Sequence, residues 1–565
     1  MCCLLVCVGK VALSQELSLG WSEVIKPENK DYEDVVALGK VGEVYAFAQY
    51  DETIPQLGYN LKILLVDASG MLLNTHALGA KLAAHPSYQT LSLNAMYLES
   101  GSNWLWLTAL GKPSVHKGDL VSYKVNLSTG ELQAETLVHK LPDVGFSTSW
   151  RDTRTSVLTD EETGSVLLLH EDLRARKTYA RLSGKQFDTN IWEVASNQTL
   201  ANDAIEKTKN GKSEVRIENL LKTEFCLVGN RAYVLATEEF YIPYTREKPL
   251  NKEQKRDLEF YDRMSHDIYV FGPDLDTAKT VISLPDAADT LTSLRSGGMV
   301  SSGGGLKVFS LYKSQYDTPT SGILSIDIDP NTLQITNRTK VEGVGLYPEL
   351  KEANKYNYLL LDHGKTGQGS LFFTLEQFRG KSKRISTYIP VAGGAFGAVT
   401  ATVGVSVPTG KEKNDVRYGT VAVVQVPVSG GMGTVARTPK YQVEFEKTSV
   451  KENIDQFDLG PNYSATTLPF SNATYVVFND LLNNQYSKTE KPYGEIQTAP
   501  TPESRVVMVS KIEGNTHSRF VAYSSAVRSG ANLIPRKTLV LPTDEALLVA
   551  QTNKGFRLGI IRAAK

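Results

Sequence analysis

Cysteine is scarce in this chain of 565 residues, which has four: Cys2, Cys3, Cys7 and Cys226. Three of them fall in the opening MCCLLVCVGKVALSQE, and a chain cut before Gln15 keeps one. That excludes an internal disulfide and a cysteine-based zinc site, since each needs more thiolates. Charge of one sign is also missing. Lys plus Arg number 61 against 62 for Asp plus Glu, a net charge of -1, so no global field draws nucleic acid or an anionic membrane surface. The eight histidines lie at 76, 85, 116, 139, 170, 266, 363 and 517, with no two at metal-ligand spacing. Neither a metal nor another cofactor is expected. The longest uncharged stretch, STYIPVAGGAFGAVTATVGVSVPTG from Ser386 to Gly410, is rich in Gly, Thr, Ser and Pro and poor in Leu and Ile. That composition disfavours insertion as a helix, and no transmembrane span is expected.

The apolar run Cys2–Gly9, followed by small residues at Ala12 and Ser14, reads as a signal peptide over residues 1–14. It departs from the usual form in lacking a basic start and in carrying Lys10. A truncated start or an apolar first strand is the alternative. Export would make residues 15–565 a secreted or periplasmic protein.

What is present is alternation of period two. Runs such as EVYAFAQYD, NLKILLVD, NWLWLTAL, DIYVFGPD, SLFFTLEQF and RVVMVSKI follow one another with almost no helical pattern, which predicts an all-β protein. The strands recur in groups of four. The turn before the fourth strand repeats as LLVDASGMLLN (Asp67, Gly70), YKVNLSTGELQ (Asn126, Gly130), YARLSGKQF (Gly184), VFGPDLDTAKT (Asp274) and IDIDPNTLQIT (Asp329). Asp or Asn opens such turns by accepting from its own backbone, and Gly takes the positive φ. Spacings of 59 residues from Asp67 to Asn126 and 55 from Asp274 to Asp329 fit one four-stranded sheet per repeat.

Repeated sheets of this kind bury both faces by radial stacking, and the chain resembles the β-propeller superfamily in architecture. Eight blades are expected, with seven as the alternative. The N-terminal ELSLGWSEVIK would pair with the last strands to close a single ring. No repeating Trp-Asp ending, Ser-x-Asp-x-Gly-x-Thr-Trp box or double-glycine kelch pattern is present. VNLSTGELQ is similar to the turn of quinone-dehydrogenase repeats, without the tryptophan that follows there.

Two insertions interrupt the repeats. From Val399 the uncharged stretch alternates strictly, placing Val403 and Val405 on one face, so residues 380–417 read as an extended β-arm that also carries Phe396. It either folds over its own blade rim or docks a partner. Residues 238–265 read as a helical loop. Asn251 and Gln254 form a capping box, and Leu258, Tyr261 and Met264 share one stripe. Tyr241, Tyr244, Phe260 and Tyr261, interleaved with Arg246 and Arg263, have the composition of an interface hot spot. The polar NNQYSKTEKPYGEIQTAPTPESR from Asn483 reads as a mobile rim loop.

Catalytic residue patterns are thin. Asp362 and His363 in LLLDHGKTGQGS, and His266 in DRMSHD, are acid–imidazole neighbours that more often serve structure than chemistry. SGGMVSSGGG offers serines without a nucleophile elbow, and its glycines read as letting an inner strand crowd a central channel. The expectation is a non-catalytic exported scaffold that binds a protein or cell-envelope component through its long insertions. The alternative is a secreted hydrolase or lyase acting on polysaccharide or peptide at the channel mouth.

Overall fold

The structure is a computed structural model and describes residues 17–27, 33–51, 61–79, 90–99, 102–114, 117–133, 136–141, 153–160, 165–172, 177–183, 191–194, 216–229, 231–241, 263–271, 279–284, 293–302, 304–313, 322–342, 357–367, 369–380, 414–427, 433–440, 442–446, 464–482, 484, 505–524, 532–552 and 554–563. The described residues are almost all strand, joined by turns, and Pro535–Lys537 forms a 3-10 turn. The fold is an all-β propeller of antiparallel sheets.

Strand β1 (Leu17–Trp21) stands apart from the strands that follow it in sequence. The first sheet contains β2 (Glu33–Val41), β3 (Val44–Asp51), β4 (Lys62–Val66) and β5 (Leu72–Ala77) in chain order. The second holds β6 (Thr90–Leu98), β7 (Trp104–Ser114), β8 (Lys117–Asn126), β9 (Glu131–Leu132) and β10 (Thr136–Leu141), the last two both on β8. The third holds β11 (Thr153–Asp160), β12 (Ser165–Asp172), β13 (Lys177–Ser183) and β14 (Ile191–Val194).

Next come β15 (Arg216–Val228), β16 (Arg231–Tyr241), β17 (Arg263–Phe271) and β18 (Lys279–Leu284), then β19 (Ser293–Ser302), β20 (Gly305–Lys313), β21 (Gly322–Asp329) and β22 (Gln334–Glu342). These two sets of four are joined by one pair, Met264 with Leu294. Then follow β23 (Asn357–Lys365), β24 (Leu371–Gly380), β25 (Asn414–Val426), β26 (Thr434–Thr438) and β27 (Gln442–Glu446), and after them β28 (Ala465–Pro469), β29 (Thr474–Leu481), β30 (Arg505–Glu513) and β31 (Thr516–Ser524). The final sheet has β32 (Asn532–Leu533), β33 (Leu539–Leu541), β34 (Glu545–Thr552) and β35 (Gly555–Ala563), with β1 on its outer side. Leu17 lies opposite Ala563, and Trp21 opposite Gly559.

Sheets covered on both faces read as continuous apolar runs rather than alternating ones, as in the ILLV of β4 and the YVVF of β29. Their side chains pack between neighbouring sheets. Ala46, Ile63 and Leu65 meet Leu105, Leu107 and Tyr123 of the second sheet, while Tyr45, Phe47 and Leu64 on the opposite face meet Leu547, Val549 and Ile560 of the final one. The final sheet in turn packs against Tyr475, Val477 and Val509.

The turns follow the chemistry read from sequence. Asp67 Oδ1 accepts the N–H groups of Ser69 at 2.8 Å and Met71 at 2.9 Å, and Gly70 has φ +89°. Asn126 Oδ1 accepts from Ser128 at 2.9 Å, with Gly130 at φ +69°. Asp329 Oδ1 accepts from Asn331 at 2.8 Å, yet a leucine, Leu333, takes φ +59° there. The turns at Gly184 and Asp274 lie outside the described residues.

Two insertions are narrower than expected. Glu238–Tyr241 belong to β16 and Arg263–Ser265 to β17, so Met264 sits in a strand opposite Glu239 and not on a helical stripe. The alternation MSHDIYVF, paired on both sides, outweighs the short helical pattern before it. Likewise β24 runs to Gly380 and β25 starts at Asn414, pairing Gly380 with Val416. Residues 242–262 and 381–413 lie outside the described residues.

Gly298 in SGGMVSSGGG makes room for a neighbouring sheet rather than for a channel. A Cβ there would sit 2.3 Å from His363 Nε2 and 2.6 Å from Phe309 Cε2. We expect Gly298→Val to lower stability by about 1–3 kcal/mol through overpacking, read from urea unfolding midpoints. A variant as stable as the parent would contradict this contact.

Candidate functional site

Two buried charge pairs lie where the sheet of β23–β27 packs on that of β28–β31. The outermost strand of the first of these is broken at Pro439, which has no N–H to give a ladder. β26 pairs with the Val421–Gln425 half of β25, and β27 with its Asn414–Tyr418 half. At the break Lys440 turns inward and donates to Glu376 Oε1. Both side chains are 0% exposed.

Ser464 Oγ donates to Glu376 Oε2 at 2.7 Å, while its N–H reaches Gln442 Oε1 at 3.0 Å. Ser464 is held at φ +79°, a backbone region L residues rarely adopt. Gln442 Nε2 donates in turn to the Asn479 carbonyl at 2.6 Å. Lys440 Nζ lies 5.9 Å from the Tyr418 ring centre and 6.0 Å from that of Phe478.

Beside this pair is a second one. Asp480 Oδ1 accepts from Leu481 N–H at 2.8 Å and Asn484 Nδ2 at 2.6 Å, and Oδ2 lies 3.9 Å from Arg519 Nη1. Arg519 Nη1 also donates to the Asn484 carbonyl at 3.0 Å. Asn484, expected to open a mobile loop, is therefore fixed. Burial pushes the Asp480 carboxyl up to about 6 against the pull of Asn484 and Arg519, and it lowers Arg519 to about 10. Burial also lowers the Lys440 ammonium, against the opposing pull of Glu376. His517 is brought down to about 4 by burial and by Arg519, so its ring is neutral near pH 7.

The sign of the Asp480 effect follows. Its native value of about 6 exceeds the ordinary 3.8, so between these pH values the folded chain holds more proton than the unfolded one. Stability contributed by this group is present below about 4 and is lost as pH rises through about 6. We expect Asp480→Asn to flatten the pH dependence of the urea midpoint in that window. An identical slope in both proteins would contradict the assignment.

A second cluster joins the first and final sheets. Glu545 accepts from Lys40 Nζ at 2.8 Å, Tyr45 Oη at 2.7 Å and Thr543 Oγ1 at 2.8 Å. Burial works against its ionisation, but these three donors outweigh that and hold the carboxyl below its usual range. Lys537, on the 3-10 turn, pairs with Asp34, whose Oδ1 also accepts from Val35 N–H at 2.7 Å.

Of the residues singled out from sequence, Asp362, His363, His266, Tyr241 and Arg263 fall in described strands. His363 lies in β23 with its ring edge-on to Phe309, centroids 4.6 Å apart at 70°. Asp362 Oδ1 accepts the His363 backbone N–H at 2.8 Å, so that contact involves the main chain and not the imidazole. His266 is in β17, opposite Thr237 and Leu284. Tyr241 ends β16 and Arg263 begins β17. Tyr244, Arg246, Phe260, Tyr261, Phe396, Val403 and Val405 lie outside the described residues. Sequence reading passed over Glu376, Lys440, Ser464, Asp480 and Arg519. One local signal existed, a lone carboxylate in the apolar run SLFFTLEQF, but nothing local pairs it with a lysine 64 residues away.

Among the described residues no group of three or more His, Cys, Asp or Glu is placed to hold a metal ion. No helix among them is long and apolar enough to cross a membrane. The clusters lie within sheet contacts, and what they do there is fasten neighbouring sheets.

The sequence matches no known family profile and no curated protein. Solved structures similar in shape include the WD40 domain of SCAP from fission yeast, at 9% identity over 98% of this chain and 95% of that one, with a TM-score of 0.38. The Dos1 propeller is 8% identical over 96% and 95% of the two chains, with a TM-score of 0.37. An oligogalacturonate lyase from Vibrio parahaemolyticus is 6% identical over 97% of each, with a TM-score of 0.30. Likeness this distant reaches no further than fold, and the architecture stands on the sheets described above.

Proposed function

We propose that this protein is an exported, non-catalytic β-propeller of eight blades, closed by β1 on β35, that binds an extended segment of a partner protein. The carrying observation is on the outermost strand of the first sheet. Met71, just before β5, and Leu72 and Leu73 within it are 59%, 45% and 48% exposed. β5 pairs with β4, and no strand covers its other edge among the described residues. An open edge with apolar side chains on both faces suits an incoming strand, whose backbone supplies hydrogen bonds while the leucines and methionine supply apolar contact.

Burial of the strongest charge pairs within sheet contacts favours this reading over hydrolysis. Export is supported by the apolar run Cys2–Gly9 and the small residues Ala12 and Ser14. The stretches 242–262 and 381–413 are further docking elements. Deleting residues 386–410 tests the second of these, and unchanged complexes with a folded propeller would end it.

The direct experiment is to purify a captured partner and titrate it against the parent and a Met71→Ser, Leu72→Ser, Leu73→Ser variant. We expect Kd to weaken about tenfold or more, corresponding to roughly 1.4 kcal/mol. Equal affinity in a folded variant would overturn the site.

A further inference from the structure

We propose that Lys440 and Glu376 are two halves of an intramolecular amide cross-link, Nζ bonded to Cδ. Three observations bring the reacting groups together. The ammonium and carboxylate touch, both wholly buried. Tyr418 and Phe478 flank the lysine. Ser464 Oγ donates to the other carboxylate oxygen at 2.7 Å.

Condensation of an amine with a carboxylic acid needs both in their neutral forms, held in contact and away from water. In a site of low dielectric, proton transfer along the Nζ–Oε1 hydrogen bond turns the ion pair into amine and acid. Burial lowers the ammonium in the required direction. The Nζ lone pair then attacks Cδ while Ser464 Oγ–H holds the charge that develops on Oε2. The Cδ–Oε1 bond breaks, and Oε1 leaves as water with its transferred proton and a second one from Nζ. Ammonium plus carboxylate give amide plus one water, and no further reactant is consumed. Oε2 becomes the amide carbonyl, still accepting from Ser464.

The bond would tie the second strand of its sheet, β24, to the break between β26 and β27. It would thereby close a covalent loop around residues 381–413, fixing the base of that long connection to the sheet. The inference does not depend on what the connection binds.

The test uses the full chain, denatured and digested with trypsin. A cross-linked protein resists cleavage after Lys440, and yields a branched peptide joining 366–379 to 438–447. Its intact mass is lower than the unlinked chain's by one water. Lys440→Arg removes the branched peptide. Linear peptides 366–379 and 438–440 in full yield from the parent protein would overturn the proposal, whatever the variant does.

Discussion

Lys440→Met lowers stability by about 3–5 kcal/mol relative to the unlinked ion pair, the usual cost of stripping the partner from a buried charge. The substitution keeps much of the apolar stem in contact with Tyr418 and Phe478 while leaving Glu376 with only the Ser464 hydroxyl. Glu376 is 0% exposed, so water cannot replace what is lost. Pairing the change with Glu376→Leu removes the orphaned carboxylate, and relative to the unlinked ion pair most of the loss is recovered, since a buried ion pair is often no more stabilising than apolar residues of similar size, whereas a parent joined by the amide keeps an advantage over the double variant. Urea unfolding of the parent, the two single variants and the double variant measures this as one cycle. A loss under about 1 kcal/mol in the single variant would contradict the placement of Lys440.

Removing residues 1–25, and with them β1, has an effect of similar size. Leu17 is buried against the final sheet, and Leu19 and Trp21 pack on the same cluster. At about 1.5–3 kcal/mol for each fully buried side chain, and less for the two partly buried ones, the loss is roughly 5 kcal/mol. Polar contacts add to it. Ser22 Oγ accepts from Leu558 N–H at 2.9 Å, Arg557 Nη1 donates to the Ser22 carbonyl at 2.9 Å, and Ile25 and Phe556 exchange backbone bonds. The turn of the first sheet is fitted to this strand as well, because a Cβ on Gly70 would meet the Trp21 carbonyl carbon at 2.4 Å. Unfolding midpoints, together with amide exchange of Gly555–Ala563, report the loss. Unchanged protection of that strand in the shortened protein would contradict the contribution assigned to β1.

Strands and their turns were legible because both are local. NLKILLVD announces β4 through an apolar run too short for a helix, and Asp67 announces its turn through a carboxylate two residues from the N–H it accepts. The helix read over 251–264 failed at its end for the converse reason. Its capping box and stripe are local features, whereas Met264 is held by strands on either side. Charge clusters were not legible at all. Glu545 meets Lys40 across 505 residues of sequence through the stacking of two sheets, and Glu376 meets Lys440 across 64 through the strand order of one sheet, and no short motif encodes either. Leu333 shows a smaller version of the same limit, since tertiary packing holds a leucine at φ +59° where glycine is the usual choice.

Closure of the chain on itself is tested most directly by joining its two ends across the β1–β35 ladder. Ser18 and Arg562 are direct partners in that ladder, on the outer side of the final sheet. Opposed residues in an antiparallel pair have Cα atoms about 4.5–5.5 Å apart, within the span a disulfide bridges. With Ser18→Cys and Arg562→Cys introduced together, oxidation of the folded protein should yield one disulfide linking the N-terminal and C-terminal peptides, found by non-reducing digestion and mass spectrometry. A folded protein in which both introduced thiols stay reduced under the same oxidant would contradict closure.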